Sequence, residues 1–256
     1  MATNLYILTG ASRGMGAAMA EQLLQQPDTT LLTISRHVDV ALAARADAAP
    51  ARLEQWPRDL AEALPVAQEV EAWLGMMDAL RFDEAALINN AGAVTKVGPV
   101  DASADAEIVS ALRVSLEAAV LLTAAFLRAT RGWRARQQGR CKVLNISSGL
   151  GRRAMAGSAV YCAAKAGMDN FSRAVALDET HRGDAAKIAS LAPGVIDTDM
   201  QAQLRSADAT GFPDQATFLN LQASGQLASP QEAATRVLAF LRRHDFGTKV
   251  LADVRD

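Results

Sequence analysis

Seven short runs rich in apolar and β-branched residues recur along the chain: LYILTG from Leu5, TLLTIS from Thr30, RLEQW from Arg52, ALINNAG from Ala86, KVLNISS from Lys142, KIASLAPG from Lys187 and TKVLADV from Thr248. Their length and their bounding turn residues suit buried strands. The longer segments between them carry helical periodicity. Strand and helix alternating in this way predict an α/β fold, a doubly wound parallel sheet of about seven strands joined by right-handed crossover helices. Ligands in such sheets bind beyond the carboxyl ends of the strands. The pattern breaks once, from Gly194 to Ser229, a long and mostly polar stretch without a plausible strand. A connection of that length reads as a lid or a substrate wall.

Composition narrows the class. No Pro-, Gly- or Ser-rich tract divides the 256 residues, so residues 1–256 are expected to form one domain. Half the residues are apolar, 21% are charged and the net charge is −2, the profile of a globular protein without a nucleic-acid partner. No uninterrupted apolar run approaches the roughly 18 residues of a membrane span, and the first strand starts too early for a leader. The expected location is the cytoplasm. Cys141 and Cys162 lack metal-ligand spacing and are expected to be free thiols, with no metal site. The basic segment RATRGWRARQQGRCK, 128–142, reads as a solvated helix end, with an anion-binding patch as the alternative.

Candidate chemistry begins at the first strand, which runs into TGASRGMG. Gly10 permits a tight turn, and Gly14 and Gly16 let backbone approach a pyrophosphate at a helix N-terminus, with Ser12, Arg13 and Met15 between them. The second strand ends in Ser35 and Arg36 where an acidic residue would select an unphosphorylated ribose. Two guanidinium groups, Arg13 and Arg36, and a hydroxyl suit a 2′-phosphate, so NADPH/NADP+ is the expected cofactor. Asp59, followed by Leu60, can accept from the adenine amino group or cap the next helix.

Tyr161 and Lys165 stand four residues apart in SAVYCAAKAG, on one face of a helix among small residues. A neighbouring ammonium, together with an oxidised nicotinamide, is expected to lower the phenol pKa and make Tyr161 a proton donor. A carbonyl receiving hydride needs a second donor at its oxygen, and Ser148 in NISSG is the candidate, ahead of Ser147.

With these motifs in this order, the chain resembles the short-chain dehydrogenase/reductase family: TGASRGMG, NNAG at 89–92, Ser148, the Y-x-x-x-K of Tyr161 and Lys165, and PG at 193–194. The resemblance implies that Asn90, Ala91 and Gly92 support the sheet beside the cofactor. It implies further that Lys165 binds the nicotinamide ribose, that Pro193, Gly194, Val195 and Thr198 lie at the carboxamide end, and that helices four and five form a homodimer, with a homotetramer as the larger alternative. The apolar stripe IVSALRVSLEAAVLLTAAFL fits such pairing. Where the family has a relay asparagine, this chain has Ser115, which is expected to preserve some relay through the local helix distortion.

Within the family, VLNISSG, YCAAKAG, APGVIDTDMQAQLRS and GQLASPQEAA resemble the branch of sepiapterin reductase and the benzil reductases. This implies reduction of one ketone of a small diketone or pterin-like substrate. Leu150, Met155, Met200 and Leu204 are the expected apolar wall, and Asp253 is the implied pterin anchor. Arg152 and Arg153 could meet an anionic substrate, although exposure is their more ordinary fate. The alternatives are a broad-range alcohol dehydrogenase or oxoacyl-thioester reductase, and a dinucleotide-binding sensor without turnover.

Overall fold

The computed structural model describes residues 3–49, 51–133 and 141–256. Seven parallel strands form one sheet: β1 (Asn4–Thr9), β2 (Thr29–Ser35), β3 (Arg52–Pro57), β4 (Glu84–Asn89), β5 (Cys141–Ile146), β6 (Lys187–Ala192) and β7 (Leu251–Asp253). Their order is β3-β2-β1-β4-β5-β6-β7, with the reversal of direction between β1 and β4. That reversal opens a crevice at the carboxyl edge, where the glycine loop follows β1.

Alternation within each strand divides the core in two. Leu5 and Ile7 of β1 face a layer containing Leu74 of α3 (Ala63–Gly75) and Leu122 and Phe126 of α5 (Ala118–Ala129). Tyr6 and Leu8 face the opposite layer, with Met19 and Leu23 of α1 (Gly14–Leu24) and Val237 and Leu241 of the last helix. Both faces are covered, so the strands are apolar throughout rather than alternately polar. The remaining helices are α2 (Val40–Ala46), α4 (Asp105–Leu112), α6 (Ala159–Thr180), α7 (Asp199–Ser206), α8 (Gln215–Ala223) and α9 (Pro230–Leu241). Ser229 and Glu232 start α9 with a reciprocal capping box.

Three expectations change in detail. The 194–229 stretch holds α7 and α8, and a single bridge between Ile196 and Ala228 closes its ends. Residues 105–129 form one continuous helix of mean hydropathy 1.7, long and apolar enough to cross a bilayer although no uninterrupted apolar run suggested it. In the fold, Leu122, Ala125 and Phe126 of this helix are buried in the core. The basic segment is not simply solvated: Arg128 pairs with Glu71 and Arg131 with buried Glu179, while Lys142 is buried against Glu84 and donates to Leu241 O. Residues 134–140 of that segment lie outside the described residues.

Candidate active site

Glycine is demanded by geometry at two places in the loop after β1. Gly10 has φ +70°, and a Cβ there would lie 2.9 Å from Ala91 Cα. At Gly16 a Cβ would fall 2.0 Å from the Gly10 carbonyl oxygen and 2.6 Å from Asn90 Nδ2. The loop is therefore packed directly on the NNAG turn. Asn90 Nδ2 donates to Thr9 O at 3.0 Å and to Gly10 O at 3.1 Å. Thr9 Oγ1, which sequence reasoning did not single out, accepts from the backbone amides of Asn90 and Ala91 at 2.9 and 3.0 Å. Met15 is buried in the core, which leaves its backbone to face a ligand. Gly14 opens toward Thr198: a Cβ there would lie 3.6 Å from Thr198 Cγ2. Gly194, after Pro193, turns the chain at φ +83°, and Val195 O accepts from Ala228 N.

The polar cluster lies on the neighbouring strands. Ser148 sits two residues beyond β5 and hydrogen-bonds the phenol of Tyr161, whose helix α6 begins at Ala159. Ser147, by contrast, turns its hydroxyl into the interior, where it has no hydrogen-bond partner. Lys165, one turn after Tyr161, is 3% exposed, and its Nζ lies 5.7 Å from the tyrosine ring centre and donates to Ile146 O at 2.6 Å. Burial pushes the Lys165 ammonium down to about 8, opposed by the negative charge of Asp169. Burial also raises the Tyr161 phenol above its ordinary value, against the lowering influence of the Ser148 hydrogen bond. The expected lowering of this phenol by Lys165 is therefore outweighed by desolvation in the ligand-free chain. A phenol kept neutral remains a proton donor and is a poor base.

Ser115 lies in a π-turn, Arg113–Glu117, between α4 and α5. Its hydroxyl is fully buried, accepting from Ala93 N at 2.9 Å and donating to Ala93 O at 3.0 Å. A Cβ on Gly92 would lie 3.8 Å from Lys165 Nζ and 3.9 Å from Ser115 Oγ, so the two side chains flank that glycine. The π-turn thus brings one hydroxyl to the strand-end loop beside the lysine.

Tyr161 forms part of the lining of a narrow slot with Leu150, Met155, Met200 and Leu204, and also with Val94, Thr95, Val97 and Gln203, which the sequence had not marked. Its open volume, about 30 Å³, holds roughly one water. Behind the wall, Met155 and Leu204 pack with Phe212 and Phe218 in a small core separate from the two main layers. Asp253 is not brought to this slot: Arg255 holds its carboxylate at 2.6 and 2.7 Å. Arg153 is exposed, whereas Arg152 reaches inward to Asp169 and to Ala252 O.

Comparison with known proteins agrees with this arrangement. The family model described as short chain dehydrogenase matches residues 4–209. The chain belongs to the short-chain dehydrogenase family. It is 31% identical over 240 residues to benzil reductase ((S)-benzoin forming) of Bacillus cereus, covering 94% of each chain. It is 29% identical over 246 residues to sepiapterin reductase of Xenopus tropicalis, covering 93% of this chain and 90% of that one. A crystal structure of a metagenomic short-chain oxidoreductase in complex with NADP superposes with a TM-score of 0.71 at 25% identity, covering 98% and 97% of the two chains. As a member of this family the protein is an oxidoreductase acting on carbonyl or alcohol groups.

The crevice of this short-chain dehydrogenase continues past the glycine loop into a cavity of about 520 Å³, lined by Ser12, Arg13, Arg36, His37, Val38 and Asp39 among others. Both arginines reach it, as their positions suggested. Ser35 Oγ accepts from Ala11 N at 2.8 Å, and Arg13 pairs with Asp199 at the start of α7 at 2.6 Å. Asp39 is the nearest acid after β2, but its carboxylate caps α2 by accepting from Leu42 N. Asp59 likewise acts as a cap, accepting from Ala61 N at 2.9 Å, while Leu60 is buried in the core. The rest of the framework is a buried polar ladder: Asn89 donates to Asn145 at 2.8 Å, and Asn145 donates to Ser172 of α6 at 2.8 Å. It ties β4, β5 and the helix carrying Tyr161 together, and only its location inside strand motifs could have signalled it.

Proposed function

We propose that the protein is an NADPH-dependent reductase of small, flat ketones, with vicinal diketones of the benzil kind as the leading substrate class. The observation that carries this reading is the hydrogen-bonded pair of Ser148 and Tyr161 beside an apolar slot at the sheet edge that also bears the glycine loop. The loop fits a dinucleotide, since close packing at Gly10 and Gly16 leaves its amides uncovered by side chains. A bound nicotinamide supplies the hydride. As the carbonyl carbon receives that hydride, Ser148 holds the oxygen by a hydrogen bond and Tyr161 delivers the proton, so that the ketone becomes a secondary alcohol. Lys165 supports the phenolate that is left, and the proton is restored from solvent past Lys165 and Ser115. Benzil reductase similarity and the narrow slot favour a flat diketone; the engagement of Asp253 with Arg255 weighs against a pterin. A substrate of benzil's size needs far more room than the slot offers, so α7 must move away from Met155 and Leu150 on binding. The direct test follows NADPH absorbance with benzil and with sepiapterin, using Tyr161→Phe as the blank; no turnover of any ketone in a broad panel would sink the reading.

Cofactor choice rests on Arg36 beside Arg13. Replacing Arg36 by Glu removes a charge-assisted partner worth about 1.5–3 kcal/mol, so the ratio of kcat/KM for NADPH over NADH is expected to fall about 10- to 100-fold. Parallel steady-state assays with the two cofactors check it, and an unchanged ratio would remove Arg36 from the phosphate site.

The pH dependence follows from Lys165. Its ammonium is present below about 8 and lost above, so reductase kcat is expected to hold at neutral pH and fall as pH rises through about 8. Because the Tyr161 phenol is raised, alcohol oxidation, which needs the phenolate, should require more alkaline conditions. Measuring kcat in both directions from neutral to alkaline pH separates the two limbs.

A further inference from the structure

Asp169 is 2% exposed on α6, one turn beyond Lys165, and none of the steps above uses it. Its two oxygens are engaged separately. Ser190 Oγ of β6 donates to Oδ1 at 2.6 Å, and Arg152 Nε lies 3.4 Å from Oδ2. The same arginine donates from Nη2 to Ala252 O of β7 at 2.8 Å. Arg152 ends the tight turn Gly149–Gly151 that follows Ser148, and that turn packs closely on α6: a Cβ on Gly151 would lie 2.9 Å from both Asp169 Oδ2 and Lys165 O.

A buried carboxylate is costly unless it is paired and hydrogen-bonded, so its retention here calls for a charge that needs it. Lys165 is such a charge: it is almost wholly buried, with a backbone carbonyl as its one close hydrogen-bond partner. We propose that Asp169 is a positioning residue of the active site, the buried counter-charge of Lys165 and, through Arg152, the anchor of the turn that follows Ser148. The negative charge of Asp169 opposes the burial that would strip Lys165 of its proton. The other titratable groups around this pair are Tyr161 and Cys162 on α6, Arg152 on the turn, and Asp253 of β7, which feels Arg152 and is held by Arg255. One side chain thus links the lysine to the serine through structure that touches neither substrate nor cofactor.

The test uses the full chain and does not need a known ketone. The sequence contains five lysines, so 13Cε labelling of lysine gives a spectrum in which Lys165 is assigned by its loss in Lys165→Arg. Asp169→Asn keeps the shape and the Ser190 hydrogen bond but removes the charge. Its Lys165 signal is expected to titrate at lower pH than in the wild type. Arg152→Gln, at a partly exposed position, removes a neighbouring cation and should move the same signal the opposite way. In the kinetic arm, which rests on the ketone-reductase reading, the alkaline limb of kcat in Asp169→Asn should move down with the lysine. At a fixed pH above that limb, activity then falls about tenfold for every pH unit the midpoint moves. A Lys165 midpoint unmoved in both variants would overturn the proposal and leave Asp169 a purely structural residue. If Asp169→Asn does not fold, the Arg152→Gln titration decides alone, and an unmoved midpoint there overturns it equally. Moved midpoints in a protein that reduces no ketone would uphold the coupling while the reductase reading fails.

Discussion

Tyr161→Phe is expected to lower kcat for ketone reduction by about 10²- to 10⁴-fold while cofactor affinity stays near that of the wild type. The substitution removes one oxygen and leaves the ring beside Lys165, with its Nζ 5.7 Å from the ring centre, so packing on the slot is preserved. What disappears is the proton donor, together with the hydrogen bond that orients Ser148. The residual rate would reflect cofactor and substrate held together with Ser148 still able to reach the carbonyl oxygen. Single-turnover kinetics, with NADPH binding followed by fluorescence, separate the chemical step from binding. A loss of affinity equal to the loss of rate would place Tyr161 in binding rather than in proton transfer.

Gly16→Ala is expected to be the most damaging single methyl group in the crevice. The new carbon would fall 2.0 Å from the Gly10 carbonyl, an atom of the backbone that is itself pinned by Asn90. Neither side can yield without moving the loop away from α1. Overpacking of this kind costs about 1–3 kcal/mol, and here the strain is released by displacing the amides that would face a pyrophosphate. The variant should therefore melt earlier and lose measurable NADPH binding. Gly75→Ala is the control, because no atom lies within 4 Å of the added carbon at the end of α3; it should be neutral or stabilising, by up to about 1 kcal/mol. A Gly16→Ala protein that binds NADPH as the wild type does would show that the loop is free to shift.

The sheet was legible because a parallel strand buried on both faces is a short continuous apolar run, and all seven such runs became strands. The glycine loop and the Tyr161–Lys165 pair were legible because fixed spacings on a turn and a helix translate directly into proximity. Other features depend on contacts between distant segments, which spacing does not encode. Arg152 had no visible reason to turn inward until Asp169 and the Ala252 carbonyl stood beside it. Thr9 and Asn145 are polar residues at strand ends or within strands, and their roles appear only once neighbouring strands are in register. The raised phenol of Tyr161 had the same origin: the sequence displayed the neighbouring charge and concealed the desolvation that outweighs it.

The π-turn at Arg113–Glu117 has a further consequence. Such a turn is an α-helix carrying one residue more than its path requires. Removing any one residue there would restore an unbroken helix of nearly the same composition while rotating the residues on one side of the cut by about 100° relative to the other. Either the Ser115 hydroxyl would leave Ala93 or the face of α5 that enters the core through Leu122 and Phe126 would swing away. Chain length, counted in single codons, is therefore as much a determinant of this site as residue identity. The middle of the longest apolar helix is held to an indel constraint stricter than that on the surface loops around it.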